Sequence, residues 1–133
     1  MKRILVAYDG GAPARRALDM AIELTKAFDA QLAVVSVVPV RTGRAPIDPW
    51  DDREVHTNEL LEAKAILAER MITAELLEPY GDPAMTIERI AEEGRYDLVV
   101  VGSRGLSAVS RILQGSVSEH IATHTETPVL IAR

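Results

Sequence analysis

The sequence predicts an α/β fold in which an open parallel sheet is covered by helices on both faces. Three observations predict it. Four short runs, Ile4 to Tyr8, Leu32 to Val38, Leu98 to Val101 and Val129 to Ala132, are apolar almost without interruption and rich in valine and isoleucine. A strand with one wet face alternates, so these runs read as strands covered on both faces, as parallel strands are. The segments between them carry apolar residues at helical spacing, which gives the strand–helix alternation of crossover units. Finally, 133 residues with 47% hydrophobic side chains can bury roughly two thirds of the unfolded surface in one core. One domain over residues 1–133 is expected, with no repeat, low-complexity tract or linker, and a stapled miniprotein, a collagen or a disordered chain is excluded.

After the first run, Ala14, Ala17, Leu18, Ala21, Ile22, Thr25 and Phe28 recur on one helical face, with Arg15, Arg16, Asp19, Glu23 and Lys26 opposite. Pro13 suits the first turn of that helix. The segment Arg41 to Arg53 holds Gly43, Pro46, Pro49, Trp50 and three aspartates, and reads as a surface loop able to move over a site. A second helix is expected from Glu54 to Met71, with Leu61, Ala65, Ala68 and Met71 or Ile72 as its inward stripe and acids near its start, where the helix dipole favours them. Ile72 to Leu77 is a weaker strand, less completely buried. Asp82-Pro83 reads as an N-cap followed by a first-turn proline, opening a third helix with Ile87, Ile90 and Ala91 inward until Gly94 stops it. Ser116-Val117-Ser118-Glu119 has the capping-box pattern of a fourth helix, which Pro128 ends before the last strand.

The chain contains no cysteine, so disulfides, thiolate metal sites, iron–sulfur clusters and cysteine nucleophiles are excluded. The net charge of -5 argues against a general affinity for nucleic acid. Within that acidic chain, Leu98 to Ser118 holds Arg104 and Arg111 and no acid, room for a small anion. The apolar run at the amino terminus meets Asp9 too early for a signal peptide. No stretch approaches the roughly 18 apolar residues of a membrane span. A cytoplasmic, membrane-free protein is expected.

Ligands of open parallel sheets bind beyond the carboxyl ends of the strands, where strand order reverses. Two such places stand out, Asp9-Gly10-Gly11-Ala12-Pro13 after the first strand and Gly102-Ser103-Arg104-Gly105 after the fourth, with Gly115-Ser116 further on. The second has the parts of an anion cradle: glycines that let backbone approach a phosphate, hydroxyls on Ser103 and Ser116, and the free N–H groups of a helix start. Equally, the glycines could only turn the chain and Ser116 only cap the helix. It is not a Walker loop, since no Gly-Lys-Ser/Thr follows and Lys2, Lys26 and Lys64 lie elsewhere. Nor does GxGxxG stand between the first strand and helix.

The spacing Gly102-x-x-Gly105, nine residues, Gly115-Ser116 resembles the nucleotide-binding motif of the universal stress protein family. Ile4 to Gly10, Gly81-Asp82-Pro83, Val100 to Gly105 and Pro128 to Ile131 are similar to other segments of that family, so the resemblance covers the chain and points to its ATP-binding branch. It implies a Rossmann-like sheet of order 3-2-1-4-5 with ATP between the ends of the first and fourth strands. Carried over by position, Ala7, Asp9 and Val37 would line the adenine and ribose. Gly102, Ser103, Arg104 and Gly105 would wrap the ribose and phosphates, and Gly115, Ser116 and Val117 would close on the phosphates. Magnesium or manganese would be held through the phosphates, because the motif contains no acid. Gly11 stands where the family usually has serine or threonine, which removes a hydroxyl able to cap the first helix, a loss of about a few tenths of a kcal/mol. The resemblance also implies a homodimer through the last strand, placed at the sheet edge.

Other candidates are weaker. His120 and His124 are four apart but lack an evident third ligand, so no metal site is assigned. Asp48, Asp51 and Asp52 have no partner base and read as a solvated loop. Asp9 is the only carboxylate expected near the nucleotide, on its adenine side, and Leu98 to Ser118 has no acid to position a water. No catalytic residue is assigned, and slow or absent hydrolysis is expected. The resulting expectation is a nucleotide-dependent stress switch, in which ATP orders Arg41 to Arg53 and Leu106 to Gln114 and changes the surface shown to an unidentified protein partner. A slow ATPase or autophosphorylating enzyme using Ser103, Ser107, Ser110 or Ser116, and a dimeric scaffold without nucleotide, are the rivals.

Overall fold

The computed structural model describes residues 1–39, 53–103 and 125–133. Its elements are β1 (Arg3–Ala7), α1 (Ala12–Phe28), β2 (Gln31–Val35), α2 (Arg53–Glu69), β3 (Ala74–Leu77), α3 (Pro83–Glu93), β4 (Leu98–Gly102) and β5 (Val129–Ala132). The strands form one sheet in the order β3-β2-β1-β4-β5, and every neighbouring pair is parallel. This is the architecture that the sequence predicts.

The three central strands are buried on both faces, which is why their sequences do not alternate. One face carries Ile4, Val6, Leu32, Val34 and Val100 against α1 and α2, and the other carries Leu5, Ala33, Val35, Val99 and Val101 against α3. Steps from β1 to β2 to β3 move the chain one way along the sheet and place α1 and α2 on one face. The jump from β3 to β4 reverses direction and places α3 on the other, as right-handed crossovers require. The point of reversal lies between β1 and β4. β3, at the sheet edge, is only partly buried.

α1 begins with Pro13 in its first turn and with Gly11 at the N-cap, where no side chain bonds the helix end, in line with the expected missing hydroxyl. α3 is capped as its sequence indicates: the Asp82 carboxylate accepts from the Met85 N–H at 3.0 Å. Gly94 ends it where a Cβ would run into the Tyr96 ring and stand 2.9 Å from the Ile90 carbonyl oxygen.

α2 corrects the sequence reading. Its inward stripe is His56, Glu59, Leu60, Ala63, Ile66 and Leu67, whereas Leu61, Ala65 and Ala68 face outward and Met71, at the turn beyond the helix, is 90% exposed. Two polar residues at inward positions and several apolar ones at outward positions blur the helical periodicity, so apolar spacing alone selects the wrong face. The expected loop Arg41 to Arg53 (all but Arg53), the segment Leu106 to Gln114, the fourth helix, His120 and His124 lie outside the described residues.

Candidate functional site

The chain leaves β1 through a tight turn. Gly10 has φ +81°, in the left-handed region that favours glycine. Asp9 Oδ1 accepts the Gly11 N–H at 3.0 Å, an Asx-type turn that reverses the chain from β1 into α1. The other oxygen, Oδ2, is buried and has no hydrogen-bond partner among the described residues. Burial pushes the Asp9 carboxyl up to about 6, and the charge of Glu59 adds to the rise, against the Gly11 hydrogen bond and the pull of His56. A buried acceptor with a spare lone pair is costly unless something donates to it.

Beside Asp9 a recess opens at the carboxyl ends of β1 and β2. Ala7, Val35, Val37 and Ile87 form its apolar wall, and Asp9, Ser36 and His56 its polar one. Ser36, His56 and Glu59 are 2%, 4% and 8% exposed. The Ser36 hydroxyl donates to Glu59 Oε2 at 3.0 Å, and His56 Nδ1 lies 3.1 Å from the same oxygen and 2.9 Å from Ser36 Oγ. A carboxylate only accepts, so both neighbours aim at one Glu59 oxygen. On the α2 side the buried Tyr8 hydroxyl donates to Glu62. Burial first, then that bond, hold the tyrosine's ionisation far above its ordinary range, so it stays a neutral donor.

Gly102, at the end of β4, acquires a physical reason that its spacing does not reveal. A Cβ there would stand 2.6 Å from the Pro13 carbonyl carbon and 2.8 Å from its oxygen. The glycine lets the start of α1 lie against β4, which brings the Asp9 turn beside the Gly102-Ser103 end. Ser103 N–H continues the pairing to the Ala132 carbonyl at 2.7 Å.

Of the sequence-derived site residues, the structure brings Ala7, Asp9 and Val37 to one recess and places Gly102 and Ser103 at the neighbouring strand end. Arg104, Gly105, Gly115, Ser116 and Val117 lie outside the described residues. Sequence reasoning missed Ser36, His56 and Glu59. The expectation that Asp9 is the only carboxylate in this region is corrected: Glu59 acts on it from α2. The available signal was a histidine and a glutamate three apart at the start of a helix, but only the fold shows that this pair points inward. A larger depression of about 470 Å³ lies at the opposite ends of the strands, beside Arg3, Gln31, Thr73, Glu75 and Tyr96. Size does not make it the ligand site, because it sits at the amino ends of the strands, away from the point where strand order reverses.

Comparison with known proteins adds to this geometry. Residues 1–133 match the model of the universal stress protein family. The chain is 32% identical, over a 146-residue alignment covering 99% of it and 84% of the relative, to a universal stress protein of Staphylococcus aureus strain USA300. A crystal structure of a universal stress protein family member from Burkholderia pseudomallei is similar at TM-score 0.77 and 30% identity, over 98% of this chain and 94% of that one. A universal stress protein solved in complex with cAMP is similar at TM-score 0.75 and 26% identity, over 99% and 97%.

Proposed function

Because this chain belongs to the universal stress protein family, we propose that it is an ATP-binding stress-response switch whose nucleotide lies between the ends of β1 and β4. The observation that carries the reading is the buried Asp9 Oδ2, an acceptor with no donor among the described residues, at the carboxyl end of β1. An adenine amino group or a ribose hydroxyl supplies the missing donor. The apolar wall of Ala7 and Val37 suits a purine face. The similar protein solved with cAMP supports an adenine nucleotide as the ligand class.

In this reading Gly102, Ser103, Arg104 and Gly105 meet the ribose and phosphates, and Gly115, Ser116 and Val117 close on them. Magnesium or manganese, arriving with the nucleotide, would supply charge neutralisation there. The chain's own work is binding and orientation: Asp9 accepts, the recess excludes water, and the glycines admit the ligand's approach. Leu98 to Ser118 holds no acid to position a water, which supports slow or absent hydrolysis. The domain acts as one unit over residues 1–133, in the cytoplasm. It pairs as a homodimer through β5, which among the described residues is an edge strand paired with β4 alone, and bound nucleotide changes the surface offered to a protein partner.

The test is to denature freshly purified protein and to identify and quantify the released nucleotide by chromatography and mass spectrometry. ATP close to one per chain is the expected result. ADP would turn the reading toward an enzyme. An empty protein that also fails to bind added ATP with magnesium would overturn it. Light scattering on the same sample checks the dimer, and a monomer at micromolar concentration would remove that part.

A further inference from the structure

Glu59 and His56 belong to α2, which the nucleotide reading does not use, yet they lie under the turn that carries Asp9. A Cβ placed on Gly10 would stand 3.5 Å from Glu59 Cγ, so α2 packs directly against the β1–α1 turn. Ser36 and His56 hold one Glu59 oxygen at 3.0 and 3.1 Å. Nothing described bonds Asp9 Oδ2. We infer that Glu59, held by Ser36 and His56, is a positioning residue that helps to set the charge of Asp9 and makes ligand binding there depend on release of the Asp9 proton.

The Glu59 side chain packs against the turn that follows Asp9, close enough for its charge to bear on the Asp9 carboxyl, and like charges so placed resist simultaneous ionisation. Glu59 Oε2 has two partners aimed at it, whereas Asp9 Oδ2 has none among the described residues and is open to a proton or to a ligand's donor. Asp9 is pushed up to about 6, by burial first and with Glu59's charge adding to it. Among the described residues, the groups that bear on Asp9 are Glu59 and His56 from α2, and its neighbour Tyr8, on which Glu62 and Arg15 act. β2 contributes the uncharged Ser36, and α3 contributes the apolar Ile87. Ionised Asp9 accepts a ligand's N–H or O–H, and protonated Asp9 has lost that lone pair.

The inference rests on the nucleotide reading only for the ligand's identity, since the titration of Asp9 is a property of the free protein. Two measurements on the full chain test it. In carbon-detected NMR of the ligand-free protein, the Asp9 carboxyl should titrate near 6, at a clearly lower pH in Glu59→Gln, and unchanged in Glu59→Asp, which restores the charge. In calorimetry, ATP with magnesium should bind roughly tenfold more weakly at pH 5 than at pH 7.5. That loss should shrink to a few-fold in Glu59→Gln; the titration of ATP's own phosphate is common to both proteins and cancels. Should Glu59→Gln fail to fold, Glu59→Met, which also removes the charge while keeping the side chain's length, should lower the Asp9 midpoint in the same way. An Asp9 midpoint identical in folded wild-type and Glu59→Gln protein overturns the inference. A shifted midpoint without ATP binding at any pH supports it and sinks the nucleotide reading instead.

Discussion

Asp9 and Asp97 stand at opposite ends of the same parallel sheet and behave in opposite ways. Asp97, fully exposed just before β4, accepts the Lys2 and Arg3 N–H groups on one oxygen at 2.7 and 2.9 Å, and these bonds hold its carboxyl below the usual range. Beside it the Arg3 guanidinium donates to the Gly94 carbonyl at 2.5 Å and stacks 4.4 Å over the Tyr96 ring. That end latches the first strand to the loop before β4. At the other end Asp9 is half-buried, its buried Oδ2 has no donor among the described residues, and its carboxyl is pushed up rather than down. One residue type serves as a fastener where its oxygens are satisfied and as a candidate binding group where one is not.

The largest effect expected from breaking this arrangement is at Gly102. Gly102→Val forces side-chain atoms into the Pro13 backbone and should cost about 3 kcal/mol by chemical denaturation, separating the two strand ends that flank the recess.

Asp9→Asn should act in the opposite sense. The folded protein raises the Asp9 carboxyl from 3.8 to about 6, so its contribution to stability is fully present below pH 3.8 and is lost as pH rises through 6. Removing the charge while keeping an acceptor for Gly11 should stabilise the ligand-free protein by about 2 kcal/mol at pH 7.5. The gain should vanish near pH 4, and ATP binding should weaken at least tenfold at neutral pH. Thermal melts across pH and calorimetry check both halves. A destabilised Asp9→Asn protein at pH 7.5 would mean that the carboxylate is satisfied after all.

Tyr8→Phe removes the donor to Glu62 and should cost about 1 kcal/mol, with ATP affinity unchanged because the hydroxyl bonds on the α2 side. Asp97→Asn should have the smallest effect. A group held below its ordinary range stabilises above the unfolded pKa and loses that contribution as pH falls through the folded one. The difference between Asp97→Asn and wild type in thermal melts should therefore be small at neutral pH and fade in strong acid, the reverse of the Asp9 profile.

The two ends were not equally legible. The strands could be read because two-sided burial leaves uninterrupted valine and isoleucine runs, as in Leu98 to Val101, and Asp82-Pro83 announced α3 through local chemistry alone. Asp9 could be placed because a parallel sheet presents the residues that follow a strand. Its partners could not: His56 and Glu59 occupy inward positions of α2 that apolar periodicity discounts, while Leu61, Ala65 and Ala68 supply a competing stripe that faces outward. The packing of Gly102 on Pro13 was equally hidden, because the contact joins distant parts of the chain and a glycine in sequence does not say what fills the space of its missing side chain.

The central claim is that the unsatisfied end of the sheet, and not the latched end, receives the nucleotide. Adding ATP with magnesium to isotope-labelled protein and following backbone amide shifts tests it residue by residue. The account predicts the largest shifts at Ala7 to Gly11 and at Gly102 and Ser103, with Lys2, Arg3 and Asp97 still. Shifts concentrated around Arg3, Gln31, Thr73 and Tyr96, with the Asp9 turn unmoved, would contradict it.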